Sequence, residues 1–127
     1  MILCLFVIGT EMKTVAFEWK MVEYIFEIGR DRHDNWALID SAEPWDIWFH
    51  VDGAPSSHVV LKMDVFAGDI RQIPAAVLKR GAGLCKEHSS SKSMAKCAVI
   101  YTRIENLKKG REVGSVTILG DVKKIVL

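Results

Sequence analysis

The residues with most chemical capacity fall in two short stretches. Asp46-Ile47-Trp48-Phe49-His50 is followed, after the turn-rich segment Asp52-Gly53-Ala54-Pro55-Ser56, by Ser57-His58-Val59-Val60-Leu61-Lys62. Read as antiparallel strands, one register sets Asp46 opposite Lys62, Trp48 opposite Val60 and His50 opposite His58. Ile47 then meets Leu61, and Phe49 meets Val59, on the other side. Strand side chains alternate between faces, so this register separates an apolar face from one carrying an acid, an indole, two imidazoles and an amine. A slip of one residue would bury His50 and Lys62. A solvent-facing indole offers a base a stacking surface worth about 1–3 kcal/mol. Imidazoles can donate to phosphate or to a ribose 2′-hydroxyl, and Lys62 supplies charge. The expectation is that Trp48, His50 and His58 project together into solvent, while Asp46 orients Lys62 or a histidine. The plainer alternative has Trp48 filling a gap beneath the helix that starts at Pro74 and the histidines satisfying backbone groups.

Other chemistries find less support. Two facing histidines near a lysine would suit acid–base cleavage of RNA, but no nucleophile elbow or Walker loop accompanies them. Cys85, His88 and Cys97 could be assembled into a metal site, yet Cys-x-x-His has a single partner cysteine, and a buried thiol is the simpler reading. No metal or cofactor is expected. A protein-interaction adaptor, pairing through an apolar N-terminal strand edge, is a third class.

These residues need a scaffold, and 127 residues with 50% hydrophobic content suit one domain with its own core. Three cysteines, Cys4, Cys85 and Cys97, without a CxxC pair argue against a disulfide framework and for a reducing, cytoplasmic setting. The apolar opening Met1–Ile8 lacks a preceding positive charge and is far shorter than the roughly 20 residues of a membrane span. It reads as a buried strand or a leader. Net charge is +1, but residues 1–70 hold five Lys/Arg against twelve Asp/Glu, and residues 71–127 hold twelve against four. Such asymmetry hints at a nucleic-acid surface, or at two halves that neutralise each other.

Alternation predicts strands at Lys13–Trp19 and Glu23–Ile28, joined through Lys20–Glu23, and further strands at Ile47–Val51, Ser57–Met63, Ala98–Thr102, Val113–Leu119 and Lys123–Leu127. A short helix is expected over Asp34–Ala42, capped by Asp34 or Asn35, and a longer one from Pro74 to about Lys86. Gly81 and Gly83 weaken that helix by about 1 kcal/mol each, which suggests close packing. His88–Ser93 reads as a flexible connection, and Lys108-Lys109-Gly110-Arg111 as a basic loop. The fold class is α+β: a single domain with a mixed, largely antiparallel sheet, one main helix on a face and a shorter helix. Residues 1–21 are assigned to an N-terminal strand or leader, and 22–127 to the domain.

Asp46-Ile-Trp-Phe-His50 with Ser57-His58-Val-Val60 resembles the D-x-W-F-H … G-S-H-V signature of the NFACT RNA-binding domain. Ile28-Gly-Arg-Asp31 with Asn35, Val99-Ile-Tyr-Thr102, Leu107-Lys-Lys-Gly110 and Gly114-Ser-Val116 are similar to its other segments, in order, over about Val22 to Leu127. Ser56 replaces a usual Gly and Asp31 a frequent Asn, as in small stand-alone members. The segments of the large ribosome-quality-control members are absent, so their tail-elongating activity is not expected here. The resemblance implies non-catalytic RNA binding, with tRNA or rRNA as target and translation or the ribosome as setting. The expected contacts are Arg30, Trp48, His50, His58, Lys62, Lys108, Lys109 and Arg111, supported by Asp46, Asn35 and Ser57.

Overall fold

The computed structural model describes residues 13–64 and 69–127. The strand or leader expected at Met1–Ile8 lies outside them. Strand β1 (Lys13–Trp19) turns through Lys20 and Met21 into β2 (Val22–Ile28). Both turn residues have positive φ, 50° and 67°, the sense of a two-residue hairpin turn that matches strand twist. Helix α1 (Arg32–Ser41) follows, then β3 (Ile47–Val51) and β4 (Val59–Leu61). A 3-10 turn at Ile70–Gln72 leads to α2 (Ala75–Glu87), with Pro74 as its N-cap. The chain closes with β5 (Ala98–Arg103), β6 (Leu107–Lys109), β7 (Val116–Ile118) and β8 (Lys123–Val126).

Among the described residues six strands form one sheet in the order β1-β2-β4-β3-β5-β8, and every pairing in it is antiparallel. The expected central register is present: Ile47 pairs with Leu61, Trp48 with Val60 and Phe49 with Val59. Strands β6 and β7 form a separate hairpin. The basic run is therefore not all loop, since Lys108 and Lys109 lie in β6.

Helix α2 covers one sheet face. Val77, Ala82, Leu84 and Cys85 pack with Phe26, Phe49, Leu61 and Val99, all buried, at roughly 1.5–3 kcal/mol for each large side chain removed from water. Gly81 allows this approach, because a Cβ there would lie 2.6 Å from the Phe49 ring. The opposite face is also covered. Leu38 of α1, Trp48, Val60 and Ile104 form a second core, with Leu107, Val116 and Ile118 from the small hairpin packed against it. Helix α1 begins earlier than expected. Its cap is Asp31, whose Oδ1 accepts from the Asp34 backbone N–H at 2.8 Å, while the Asp34 carboxylate accepts from the backbone N–H and Nε of Arg30.

Candidate nucleic-acid interface

The second layer decides how the aromatic cluster can act. Trp48, His50 and His58 converge on one face, as alternation requires, but they do not project into solvent. Trp48 is 1% exposed, His58 is 3% exposed, and His50 is half-buried. Trp48 therefore cannot serve as an exposed stacking platform. Its indole lies flat on His50, with centroids 5.6 Å apart, and meets the edge of His58 at 5.4 Å.

Hydrogen bonding fixes which nitrogen of each imidazole is already engaged. Trp48 Nε1 donates to His58 Nδ1 at 3.0 Å. An indole N–H can only donate, so His58 Nδ1 holds a lone pair and the proton sits on Nε2. Burial, and secondarily the neighbouring His50, hold the His58 pKa down to about 3. His50 Nδ1 donates to the Val51 carbonyl at 2.6 Å, which leaves a lone pair on its Nε2. Burial lowers its pKa too, against the opposing pull of that carbonyl and of Asp52. Acid–base cleavage needs one charged imidazole. Burial works against the charged form in both rings, which such cleavage would require of one of them.

The two rings line a cleft of about 290 Å³, walled by Ile100 and by Gly114, Ser115 and Val116 of the β6–β7 hairpin. Beside it, a groove of about 500 Å³ runs between the start of α1 and the end of α2, with Arg30, Arg32, Asn35, Ser57, His88 and Lys92 along its walls. The concavities adjoin at two points. Ser57 and His58 are consecutive, and the hairpin tip rests on α1. Gly114, at φ +88°, sits so close that a Cβ would fall 2.9 Å from Arg32 Cα. Asn35 braces the junction: its Oδ1 accepts from the His58 backbone N–H at 3.1 Å, while Gly29 N–H donates to the His58 carbonyl at 3.0 Å.

The remaining expected residues divide by their neighbours. Asp46 is fully buried at the far end of β3, and its carboxylate accepts from Met63 N–H at 2.7 Å and Glu43 N–H at 2.9 Å. Lys62 closes that cage at 2.7 Å, so Asp46 orients Lys62 and not a histidine, and the ammonium is held away from the histidine cleft. Lys109 pairs with Asp40 at 2.6 Å and lies over the Trp36 ring. Trp36 Nε1 in turn donates to the Ser115 carbonyl at 2.8 Å. These contacts fasten the hairpin to α1. Lys108 and Arg111 are exposed on the hairpin.

Sequence reasoning missed Arg32, His88 and Lys92 as groove residues. The segment 88–92 reads as a linker, yet Ser57 N–H donates to the His88 carbonyl at 3.0 Å and Ser56 bridges Ser89. No local signal in the sequence announces that tie. Cys85 and Cys97 are free and buried, and among the described residues no group of three or more His, Cys, Asp or Glu could hold a metal.

The model of the NFACT protein RNA binding domain family matches residues 13–123. The chain belongs to this family. The match takes in β1 and β2. Coiled-coil domain-containing protein 25 of Mus musculus is 40% identical over 87 residues, 68% of this chain and 41% of that protein. The Dictyostelium discoideum homolog is 38% identical over 98 residues, 74% of this chain and 47% of that protein. Protein JLP2 of Saccharomyces cerevisiae is 34% identical over 91 residues, 69% of this chain and 44% of that protein. The NFACT-R chain thus spans less than half the length of these curated relatives. The C-terminal part of the fibronectin/fibrinogen-binding protein from Streptococcus suis shares the fold, with a TM-score of 0.75 and 23% identity over 92% of this chain and 44% of that one. No helix among the described residues is long and apolar enough to cross a membrane.

Proposed function

We propose that this domain binds RNA non-covalently across the continuous surface made by the α1–α2 groove, the hairpin tip and the histidine cleft. Family membership supports RNA as the ligand. What supports the location is the closeness of Gly114 to Arg32, which sets a residue lining one concavity against a residue lining the other; Arg111 is exposed on the same hairpin. In this reading Arg30, Arg32, Lys92, Lys108 and Arg111 meet phosphates, while His50 and His58 meet a nucleoside. Trp48, Asp46, Asn35 and Lys109 position them, and Lys62 serves the fold. The RNA is tRNA or rRNA and the setting is translation in the cytoplasm, consistent with two free thiols.

Fluorescence anisotropy with labelled tRNA and single-stranded RNA over a salt series tests this. The expected result is a dissociation constant that rises steeply with salt, and Arg32→Glu and Arg111→Glu variants that bind weakly with a shallower salt slope. Absence of binding at low salt, or binding indifferent to both charge reversals, would overturn it. Crosslinking in cells followed by sequencing of the bound RNA identifies the target.

A protein-docking role has one observation in its favour. Trp19, Met21 and Val22 are exposed at the tip of the β1–β2 hairpin. Co-purifying protein that resists RNase and is lost on Met21→Ser would support that role.

A further inference from the structure

The cleft holds two imidazole nitrogens of opposite character. Nδ1 of His58 is occupied by the Trp48 indole and Nδ1 of His50 by the Val51 carbonyl. Each ring therefore turns its Nε2 to other partners, and neither Nε2 has one among the described residues. Among the described residues no fully buried side-chain nitrogen or oxygen lacks a hydrogen-bond partner. His58 Nε2 must therefore open onto the cleft that the ring lines. It presents a donor, whereas Nε2 of His50 presents an acceptor. The rings stand edge to face, 85° apart with centroids 5.1 Å apart, and both line the same cleft. Val51, Ile100, Val116 and Ile118 line it with apolar side chains, alongside Gly53, Gly114 and Ser115.

Such a site selects a group that donates and accepts through one small centre and is carried on a body with an apolar face. Phosphate offers only acceptors and would leave the His50 lone pair without a donor. A carboxylate fails for the same reason. An alkyl chain would leave both nitrogens unpaired. A hydroxyl satisfies both at once: its oxygen accepts from His58 Nε2–H and its hydrogen goes to His50 Nε2. On a nucleic acid the hydroxyl at every residue is the ribose 2′-OH, which DNA lacks. A cleft of about 290 Å³ admits a ribose with part of its base.

We propose that this cleft is a ribose-reading site in which the 2′-hydroxyl of one nucleotide bridges His58 Nε2–H and His50 Nε2, so that the domain prefers RNA to DNA. This rests on the RNA-binding reading above and adds to it the atoms that discriminate the sugar. The rest of that surface, built on cations, would hold either nucleic acid. The neutral state of both rings is integral to the site, since protonating His50 would convert its acceptor into a second donor.

The test compares single-stranded oligonucleotides of one base sequence, about eight nucleotides long, in ribose, 2′-deoxy and 2′-O-methyl forms. Binding to the full chain is read by anisotropy at one salt concentration. The ribose form should bind about tenfold tighter than the deoxy form, as expected when two hydrogen bonds are lost and two polar atoms are left unpaired. The 2′-O-methyl form keeps the ribose oxygen but not its proton, so it should bind like the deoxy form. In His50→Phe, which keeps a flat ring against Trp48 but removes the acceptor, the ribose and deoxy forms should bind within about twofold of each other. If ribose and deoxy forms bind wild type equally, with steep salt dependence, this inference falls and the RNA-binding reading stands. If the 2′-O-methyl form matches the ribose form, the hydroxyl proton is not read and the inference falls. If no form binds at low salt, both fall.

Discussion

The indole N–H of Trp48 points at Nδ1 of His58, 3.0 Å away, inside a layer closed by α1 and the β6–β7 hairpin. That bond makes Trp48 part of the frame. Trp48→Phe removes the donor and leaves a buried acceptor without a partner, which costs about 1–3 kcal/mol. The expected outcome is a lower urea midpoint with an unchanged m-value, and RNA affinity reduced only as far as the cleft is disturbed. A variant of full stability that no longer binds RNA would instead return the indole to the role of a stacking surface.

Burial of His58, and secondarily the neighbouring His50, sets a pH dependence. His58 titrates near 3 when folded, against an ordinary value of 6.5. Between these values the unfolded chain binds a proton that the folded chain refuses. Stability is therefore fully present above about pH 6.5 and declines as pH falls towards 3, with a limiting slope of about 1.4 kcal/mol per pH unit. The lowered pKa of His50 acts in the same direction. His58→Asn keeps an acceptor for the indole and removes the titration. Urea unfolding at several pH values between 4 and about 7 should show a flatter profile for the variant by about one proton.

Alternation in Ile47–Val51 and Val59–Leu61 specified the central register, because any slip would exchange apolar and polar faces. It placed Trp48, His50 and His58 on one face correctly. Alternation assigns a side chain to a face, however, and is silent on whether that face meets water or another layer. The covering layer consists of a ten-residue helix and two three-residue strands. Leu38 is the only apolar residue of α1 that is fully buried, so no periodic stripe announces the packing. The groove was hidden for a related reason: its walls are joined by backbone hydrogen bonds between segments some 30 residues apart, as at Ser57 and His88.

Asp46 and Lys62 form a pair whose partners are unequally exposed: the carboxylate is fully buried, and the lysine side chain is 30% exposed. Asp46→Ala strips acceptors from two backbone N–H groups and from the ammonium, and should cost about 3–5 kcal/mol. Lys62→Met leaves the carboxylate with both backbone donors and should cost less, about 1–2 kcal/mol. Both are read by chemical denaturation. Because Lys62 is held outside the cleft, Lys62→Met should bind RNA like wild type at temperatures where it is folded.

The two glycines of α2 should respond in opposite directions to alanine. At Gly81 the new methyl would meet the Phe49 ring at 2.6 Å. Overpacking of about 1–3 kcal/mol then outweighs the gain in helix propensity. At Gly83 the nearest atom to a new methyl is a Glu87 carboxylate oxygen 4.0 Å away, so Gly83→Ala should stabilise by up to about 1 kcal/mol. Thermal denaturation of both variants checks the pair. Destabilisation by Gly83→Ala would mean that α2 needs flexibility where the geometry shows only open space.

Lys108 and Lys109 are adjacent in sequence but differ in what their charge already serves. Lys109 is bound to Asp40 at 2.6 Å and sits 5.2 Å from the Trp36 ring centroid, so a phosphate would have to displace a carboxylate already in contact. Lys108 is exposed, on a strand whose neighbouring side chains alternate in direction. Lys108→Ala should therefore weaken RNA binding severalfold at low salt and reduce the salt slope by about one, leaving the melting temperature unchanged. Lys109→Ala should do the reverse: a small loss of thermal stability from a hairpin held less firmly to α1, of the order of a few tenths of a kcal/mol for an exposed pair, with little change in salt slope. Equal effects of both substitutions on the salt slope would show that the Asp40 contact yields to RNA.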